Sequence, residues 1–282
     1  MSVEKMCELL EVSRNAYYNW KKDRQAKRKA FKAMITKEVL AIHELSKQSY
    51  GSPRITKTLH RKGILVSRQF VARIMKSQGI RASQPPKFVV TTDSDHNNPI
   101  AKNLLNRKFE VHELGKVWVS DITYIKVKSD WAYLTTVIDL ADRKVIGWSV
   151  SADMTTENTV IKAWNRAKIN RPIINELLFH SDRGVQYTSN RFRNILSHNK
   201  NVTQSMSRKG NCWDNAVAES FFKTIKHERL NQYNFKSIQE VKRVVFEYIE
   251  YWYNRMRLHS ALAYKTPFER EIELKQKYKN VA

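Results

Sequence analysis

The sequence predicts two unlike regions: an all-α, strongly basic N-terminal region and an α/β domain built on a mixed five-stranded sheet. Residues 1–90 contain 20 Lys and Arg against 6 Asp and Glu, so more than half of the net charge of +24 lies in the first third of the 282 residues. Apolar residues recur there with helical spacing. From residue 117 they alternate as in strands, and strands then alternate with helices, which is typical of a mixed sheet with crossover helices.

Composition excludes several classes of protein. Hydrophobic residues make up 41% of the chain and Gly and Pro are few, which argues against disorder. No apolar run approaches the roughly 20 residues of a membrane span, and the first residues lack the apolar core of a signal peptide. Cys7 and Cys212 alone cannot supply a disulfide framework or a cysteine-rich zinc site. The cysteine usage fits a reducing cytoplasm, so the chain is expected to be cytoplasmic. Its pI near 10.0 predicts nucleic acid as a partner, and no membrane partner is expected.

Residues 1–31 are predicted to form a first helix-turn-helix segment. An apolar helix, MCELLEV, is followed by a turn at Val12 and Ser13 and by a second helix that begins RNAYYNWKK. A basic run from Lys21 to Lys32 is expected to join this segment to the next unit. One such helix pair could be a simple packing unit, but two basic pairs in tandem favour binding to duplex DNA.

Residues 32–82 are predicted to form a second helix-turn-helix domain, which binds DNA. Ser52 has the character of an N-cap and is followed by proline, and Gly63 supplies the C-terminal stop of that helix. Ser67 is expected to cap the next helix, which ends at Gly79. The apolar side of the first helix is assigned to Ile55, Leu59 and Leu65. The expected DNA contacts of the domain are Arg54, Arg68 and Arg73.

A change of character marks the end of the basic region. Residues 83–116 are predicted to be a linker, because Pro85 and Pro86 force extended backbone and the following TTDSDHNNP is rich in turn residues. We assign residues 117–232 to the α/β core and residues 233–282 to a C-terminal helical extension.

The core is predicted to contain five strands and three helices. The strands are VWVSDITYI, WAYLTTVIDL, KVIGWSVS, ELLFHSD and VTQSMS. The first helix begins at about Thr156, the second spans residues 189–198, and the third is AVAESFFKTIKHERL. Alternation in the first strand places Asp121 on the same face as Val119 and Thr123.

Three acidic residues stand where a carboxylate has a chemical use. Asp121 lies in the middle of an otherwise apolar strand, where a carboxylate is costly unless it is paired or bound to metal. Asp182 ends the fourth strand, and Glu219 lies near the start of the third core helix. If the first and fourth strands are neighbours, these acids converge and suit Mg²⁺ or Mn²⁺ rather than zinc. Two such ions activate an attacking oxygen and stabilise the leaving oxygen of a phosphodiester.

Each acid also has a simpler explanation. Asp121 could be a satisfied core aspartate, Asp182 a turn residue and Glu219 a charge on a helix surface. Asp139 stands at a strand end before a turn and is interpreted as structural. Asp214 precedes a helix and is interpreted as its N-cap, close enough to support the site.

Glu228 competes with Glu219 for the place of the third acid. Glu219 is favoured because Lys223 and Lys226 follow it at i+4 and i+7, on the same face of the helix. A carboxylate and two ammonium groups on one stripe are expected if that face meets a metal and a phosphate backbone. An ordinary solvated helix face is the alternative.

Several motifs in order resemble one known family. VSDITYI, HSDRGVQYTS and SMSRKGNCWDNAVAESFFKTIKHE are similar to motifs of the orfB-type transposases of the third large family of bacterial insertion sequences. YGSPRI and VSRQFVARIMK resemble the helix-turn-helix segment that precedes their catalytic core, and YNRMRLHSALAYKTPFE resembles their closing motif. The resemblance covers roughly residues 5–270. It implies a ribonuclease H-like integrase catalytic core, of the superfamily that includes retroviral integrases.

The resemblance also implies roles for individual residues. Asp121, Asp182 and Glu219 would form a D-D-E triad that binds two Mg²⁺ ions, for which Mn²⁺ can substitute. Lys223 and Lys226 would contact the terminal DNA of the element. The basic loop implied as a further DNA contact contains Arg208, Lys209, Gly210 and Asn211. The residues implied to support the motifs are Gly184, Gln186, Tyr187, Asn254, Arg255 and His259.

The implied activity is DNA transposition. Metal-activated water would cleave at the 3′ end of the element, and the freed 3′-OH would attack another phosphodiester. The implied partners are double-stranded DNA (terminal inverted repeats and target), further copies of the chain forming at least a dimer, and the upstream orfA product or its frameshift fusion. The alternatives are a ribonuclease H-like metal-dependent nuclease and a non-catalytic DNA-binding regulator. A retroviral-type integrase is excluded by the lack of an HHCC zinc arrangement.

Overall fold

The computed structural model describes residues 2–83 and 98–279. The chain divides into two compact units, residues 1–83 and residues 84–282. Pro85 and Pro86, on which the predicted linker depends, lie outside the described residues. In the described ranges, no helix combines the length and the apolar character that crossing a membrane requires.

The first unit begins with a short helix and a long one, α1 (Val3–Leu9) and α2 (Arg14–Leu45). Ser13 caps α2, its hydroxyl accepting a hydrogen bond from the Ala16 amide at 3.0 Å. The structure differs from the sequence expectation here, because the basic run that we expected to join two helix pairs is itself part of one continuous helix, α2. The run KKDRQAKRKAFKAM consists of good helix formers without Gly or Pro, so nothing in it ends the helix.

The second helix pair consists of α3 (Ser52–Arg61) and α4 (Arg68–Ser77). α3 begins one residue earlier than predicted, with Gly51 as its N-cap. Ser67 caps α4 as predicted, accepting a hydrogen bond from the Phe70 amide at 3.1 Å.

These two helices pack against each other and against α2. Their fully buried apolar side chains include Ile55, Leu59, Val71 and Ile74. The expectation that Leu65 shares this face is wrong, since Leu65 is 82% exposed. Gly63 adopts left-handed backbone (φ 78°) just after α3, so Leu65 lies in the turn beyond the helix.

The second unit is built on a five-stranded sheet. Its strands are β1 (Val117–Val127), β2 (Asp130–Asp139), β3 (Val145–Ser151), β4 (Leu177–Ser181) and β5 (Val202–Met206). Their order across the sheet is β3-β2-β1-β4-β5. The first three strands pair antiparallel, whereas β4 pairs parallel with both β1 and β5. The predicted mixed sheet is therefore confirmed.

Three helices enclose the main apolar core of this unit. They are α5 (Lys162–Asn170), which a π-helical turn (Glu157–Ile161) precedes, α6 (Val185–Thr188) and α7 (Asn190–Ser197). The core includes Trp118, Val137, Trp164, Phe179, Phe192 and Met206. α5 lies so close to β3 that a Cβ atom on Gly147 would stand 2.2 Å from the Ala163 carbonyl oxygen, which only glycine allows.

The remaining helices follow β5. They are α8 (Ala216–Glu228), α9 (Ile238–Phe246), which continues as a π-helix (Glu247–Met256), and α10 (Pro267–Lys279). α8 packs on β1, α9 packs on β3, and α10 packs on the π-helix.

A buried group of charges ties α10 to the core. The Arg171 guanidinium lies 2.7 Å from Asp139, 2.7 Å from Asp142 and 3.0 Å from Glu271 of α10. We call these four residues the Arg171 cluster. Asp139 also accepts hydrogen bonds from the Gly115 and Ala141 amides and from the Trp118 indole, so every contact of this aspartate stabilises the fold.

Candidate active site

Strands β1 and β4 bring two of the predicted acids together. They pair in parallel with Ser120 opposite Ser181, so Asp121, in the middle of β1, and Asp182, directly after β4, each follow the last residue of that pairing. Asp121 is 9% exposed, and its Oδ1 accepts a hydrogen bond from the Ile122 amide at 2.9 Å. The first and fourth strands are thus neighbours, which is the condition that we set for convergence of the acids.

The turn after β4 is organised around the Asp182 carboxylate. The Gly184 amide donates a hydrogen bond to Asp182 Oδ1 at 3.0 Å, and a Cβ atom on Gly184 would stand 3.2 Å from that oxygen. The Tyr187 hydroxyl lies 2.7 Å from Ser120 Oγ, next to Asp121 in the chain. Gln186 Nε2 donates to a backbone carbonyl before α5 at 3.0 Å. These side chains hold the turn in place beside the acids.

Helix α8 carries the third acid towards the same strand. The side-chain amide of Asn215, directly before α8, donates a hydrogen bond to the Ser120 carbonyl at 3.1 Å. The start of the helix is therefore tied to β1 beside Asp121. Glu219 lies one turn later, with its side chain 23% exposed and its Oε2 at 3.7 Å from Lys223 Nζ.

Glu228, the competing third acid, is held in a buried ion pair. Arg257 Nη2 donates to Glu228 Oε1 at 2.7 Å, and Arg257 Nε lies 2.9 Å from both carboxylate oxygens. The Tyr248 hydroxyl donates a further hydrogen bond to Glu228 at 2.8 Å. A carboxylate that is 4% exposed and engaged in this way is a structural residue, which favours Glu219.

Burial and charge act on the titration of the predicted acids. Burial and the negative charges of Asp182 and Glu219 raise the pKa of Asp121 well above its ordinary value, although Lys226 opposes the shift. Burial raises the pKa of Glu219 as well, with Lys223 opposing. Burial lowers the pKa of Lys226, and the charge of Asp121 opposes that shift. Lys226 therefore lies within electrostatic reach of the acids.

The donor chemistry of these residues suits a divalent cation. Within residues 2–83 and 98–279, no three His, Cys, Asp or Glu side chains are already arranged as a metal site. The Glu219 side chain contacts Lys223 instead. Carboxylate oxygens are nevertheless the ligands that Mg²⁺ prefers, and a cation between Asp121 and Asp182 would remove the repulsion that raises the pKa of Asp121. The residues therefore fit such an ion.

The β5–α8 loop (residues 207–215) is organised by Asp214, whose side chain is fully buried. Its carboxylate accepts hydrogen bonds from Arg208 (Nε and Nη2 at 2.8 Å, backbone amide at 3.0 Å), from Arg107 Nε at 2.9 Å and from Asn103 Nδ2 at 2.8 Å. Arg208 above all holds the pKa of Asp214 well below its ordinary value. The interpretation of Asp214 as an N-cap is wrong, because its oxygens bind the preceding loop and the next residue caps α8.

Arg107, which was not among the predicted site residues, organises the same loop. Its Nη2 donates a hydrogen bond to Asn211 Oδ1 at 2.8 Å. Arg107 lies 104 residues from Asn211 and 107 from Asp214 in the sequence, so no local pattern signals these contacts. Two residues predicted to contact DNA, Arg208 and Asn211, therefore have intramolecular partners, although the Arg208 side chain stays 49% exposed.

The residues of the closing motif make contacts within the fold. The side-chain amide of Asn254 pairs with both the N–H and the C=O of Val145, each at 3.0 Å, and so joins the π-helix to the edge strand β3. The Arg255 guanidinium lies over the Phe268 ring at 5.3 Å. His259 forms a short backbone bridge before α10.

Comparison with known proteins matches this architecture. Models described as an integrase core domain match residues 111–212 and 200–267, and a model described as an HTH-like domain matches residues 32–88. The transposase InsF for insertion sequence IS3A of Escherichia coli (strain K12) is 38% identical over 92% of this chain and 90% of its own length. The chain belongs to the IS3-family transposases. It is therefore a polynucleotidyl transferase of DNA transposition.

A second relative of this transposase is the insertion element IS600 uncharacterized 31 kDa protein of Shigella sonnei, 37% identical over 98% of this chain and all of its own length. The catalytic core domain of HTLV-2 integrase, solved in complex with magnesium, has a TM-score of 0.43 and 18% identity over 56% of this chain and 96% of its own. The integrase core match and the sheet order confirm the predicted ribonuclease H-like core behind a helical HTH-like region.

The HTH-like domain of the transposase presents the three arginines predicted to contact DNA in different settings. Arg68 lines a groove between the starts of α3 and α4, with Ser52 and Gln69. Arg73 is exposed on α4, whereas Arg54 is half-buried and its guanidinium lies 5.5 Å from the centre of the Tyr50 ring.

Proposed function

We propose that this transposase performs Mg²⁺-dependent 3′-end cleavage and strand transfer with Asp121, Asp182 and Glu219 as its catalytic acids. The observation that carries the proposal is the parallel register of β1 and β4, which aligns Asp121 with Asp182. The Asn215 hydrogen bond that fixes the start of α8 beside Asp121 supports Glu219 as the third member. The engagement of Glu228 by Arg257 and Tyr248 supports the same choice.

Asp121, Asp182 and Glu219 would hold two Mg²⁺ ions, for which Mn²⁺ can substitute. When bound, these ions supply activation of the attacking oxygen and stabilise charge on the leaving oxygen of the phosphodiester. The protein contributes a fixed position for each carboxylate: the Ile122 amide binds Asp121, Gly184 fixes the Asp182 turn, and Asn215 fixes the helix of Glu219. Rigid placement of ligands is what orients the two oxygens of a phosphoryl transfer.

Positive side chains around the acids would bind the DNA backbone. Lys226 is half-buried within reach of Asp121, and Lys223 is exposed one turn before it. Arg208 and Lys209 in the β5–α8 loop extend this basic surface, with Asn211 beside them. The arginines of the HTH-like domain, Arg54, Arg68 and Arg73, would contact the terminal repeats.

The partners of the reaction follow from its geometry. The DNA substrates are the terminal inverted repeats of the element and a target duplex. Bringing two ends together requires at least a dimer of the transposase on DNA. The upstream orfA product, or its frameshift fusion with this chain, is a further proposed partner in recognising the ends.

Strand transfer is the test that separates this function from its alternatives. Labelled DNA carrying the ends of the encoding element is incubated with the full chain in Mg²⁺ or in EDTA. We expect joined products only with metal, and a loss of about 1,000-fold in Glu219→Gln. The control is Glu247→Gln, which removes an exposed carboxylate paired with Arg243 and is expected to keep full activity.

Each contrary outcome has a distinct meaning. Metal-dependent nicking without joining, even after the orfA product is added, would favour a ribonuclease H-like nuclease. Tight DNA binding without any cleavage would favour a non-catalytic regulator. Full strand transfer by Glu219→Gln would contradict the assignment of the third acid.

A further inference from the structure

Trp213 is the most exposed of the seven tryptophans of the chain. Trp213 is 69% exposed, whereas Trp118 and Trp164 are buried in the core of the same unit. Covering a large apolar ring that is exposed to water lowers the free energy, so an indole in this position suggests a binding role.

The backbone that presents Trp213 is firmly held. The next residue, Asp214, is fully buried and accepts hydrogen bonds from Arg208, Arg107 and Asn103 at 2.8–3.0 Å. Because these partners come from two separate segments, they hold the short helical turn that contains Trp213 in place. Trp213 is thus exposed on a backbone that its neighbour fixes.

Both ends of the β5–α8 loop are anchored next to the proposed catalytic acids. At one end, the Ser207 amide donates to the Ser181 carbonyl at 2.9 Å, one residue before Asp182. At the other end, Asn215 donates to the Ser120 carbonyl at 3.1 Å, one residue before Asp121. Trp213 therefore projects from a segment that spans the two strands of the site.

The surroundings of the indole favour nucleic acid as its partner. Arg208 and Lys209 lie in the same loop, and Lys223 is exposed on the helix that follows it. Aromatic rings among positive side chains are the usual surface for stacking nucleic acid bases, because every base has a π-face and its backbone is anionic. A protein partner of this surface would need matching acidic groups.

We propose that Trp213 stacks on an unpaired DNA base beside the phosphodiester at which the transposase acts. The proposal rests on the proposed function, since it takes the acids to mark the reacting phosphate. An indole inserted at a base step stabilises an opened duplex end, and this would hold the strand in place for attack. Trp213 would thus hold the DNA by stacking, a role separate from the metal binding proposed for the acids.

The first measurement reports stacking without any chemistry. Duplexes carrying an element end, with the fluorescent adenine analogue 2-aminopurine placed in turn at each step around the cleavage position, are bound by the full chain in EDTA. We expect the wild-type chain to change the emission at one position beside the cleavage site. Trp213→Ala should lose this change, and Trp213→Phe should retain part of it.

The second measurement reports strand transfer in Mg²⁺. Trp213→Ala should lose about tenfold on intact DNA. An abasic site or a mismatch at the position found by fluorescence removes the cost of opening the duplex, and it should restore the variant to within about threefold of the wild type. The control is Trp131→Ala, which removes another exposed indole, at the β1–β2 hairpin, and is expected to match the wild type in both measurements.

The outcomes separate the two proposals. A fluorescence change without metal-dependent strand transfer in the wild type would leave the stacking role in place and refute the proposed function. Strand transfer with identical behaviour of Trp213→Ala and the wild type would refute the stacking role alone. A change in oligomeric state of Trp213→Ala without DNA would also refute it, in favour of a protein contact.

Discussion

The second unit contains two groups of three buried or half-buried carboxylates: the acids of the Arg171 cluster and those of the proposed site. In the Arg171 cluster each carboxylate lies within 3.0 Å of one guanidinium. Lys144 and Lys275 add ion pairs to Glu271 at 2.6 and 2.9 Å. Even so, burial raises the pKa of Asp142 to about 6, with Arg171 opposing. Permanent cations hold this cluster together.

The charges of the proposed site are arranged differently. Lys223 stands 3.7 Å from Glu219, and Asp121 has a raised pKa because it is buried beside Asp182. The difference indicates two uses of the same residue type. Carboxylates with a fixed arginine partner stabilise the fold, whereas a buried carboxylate that neighbouring carboxylates repel is suited to an ion that arrives from solvent.

Removing the guanidinium should have the largest effect on stability. Arg171→Met leaves Asp139, Asp142 and Glu271 as buried charges without their common partner, and we expect a loss of about 3–5 kcal/mol in the free energy of unfolding at pH 7. Urea unfolding measures this loss. The matched control is Arg243→Met, whose exposed pair with Glu247 at 3.4 Å should cost under about 0.5 kcal/mol. Equal losses in the two variants would show that the buried Arg171 cluster stabilises the fold no more than an exposed ion pair does.

Local pattern explains why much of the second unit could be predicted. The alternation in β1 and the short apolar runs of β4 and β5 specify strands, and from them follows the mixed sheet. That β1 lies beside β4, which the convergence of Asp121 and Asp182 required, came from the structure. The continuity of α2 was missed because a basic run was interpreted as a connection, although it lacks any residue that ends a helix.

Contacts between distant segments explain what the sequence did not reveal. Asp214 was interpreted as a cap because a helix follows it, but its partners Asn103 and Arg107 lie more than 100 residues earlier. The structural role of Glu228 depends on its ion pair with Arg257, which lies 29 residues later in the chain. Neither pairing has a periodic signal, since an ion pair between separate elements depends on how the elements pack.

The next prediction concerns the acid side of the Arg171 cluster. Burial alone would raise the pKa of Glu271, but hydrogen bonds from Lys144 and Lys275 outweigh it and hold the pKa at about 2, against an ordinary 4.5. A lowered pKa contributes stability above pH 4.5, which is lost as the pH falls towards 2. The shift corresponds to about 3 kcal/mol. Glu271→Gln should lose that much at pH 7 and show a shallower decline of stability with acid.

The pH series distinguishes this contribution from general acid unfolding. Free energies of unfolding are measured between pH 7 and pH 3 for the wild type, Glu271→Gln and Glu247→Gln. We expect Glu247→Gln, which alters an exposed carboxylate, to follow the wild type in parallel. If the decline for Glu271→Gln were as steep as that of the wild type, the ion pairs of Glu271 would not hold its pKa down.

The smallest expected effect has the opposite sign and tests the proposed site. Because the pKa of Asp121 is raised in the folded state, the Asp121 side chain contributes to stability at low pH, and this contribution is lost as the pH rises through the raised pKa. In EDTA above neutral pH, Asp121→Asn should therefore be more stable than the wild type. Added Mg²⁺ should stabilise the wild type by about 1–3 kcal/mol, as expected for binding to the folded state alone, and the variant hardly at all.

Asp139→Asn supplies the contrast from the Arg171 cluster, since it removes an acid of the same size that is already paired. This variant should be destabilised with or without Mg²⁺ and should keep the full increment on adding the ion. Thermal unfolding of the wild type and both variants, in EDTA and in Mg²⁺, measures all six cases. An equal Mg²⁺ increment in Asp121→Asn and the wild type would place the ion away from Asp121. The two groups of carboxylates would then differ in packing but not in their use.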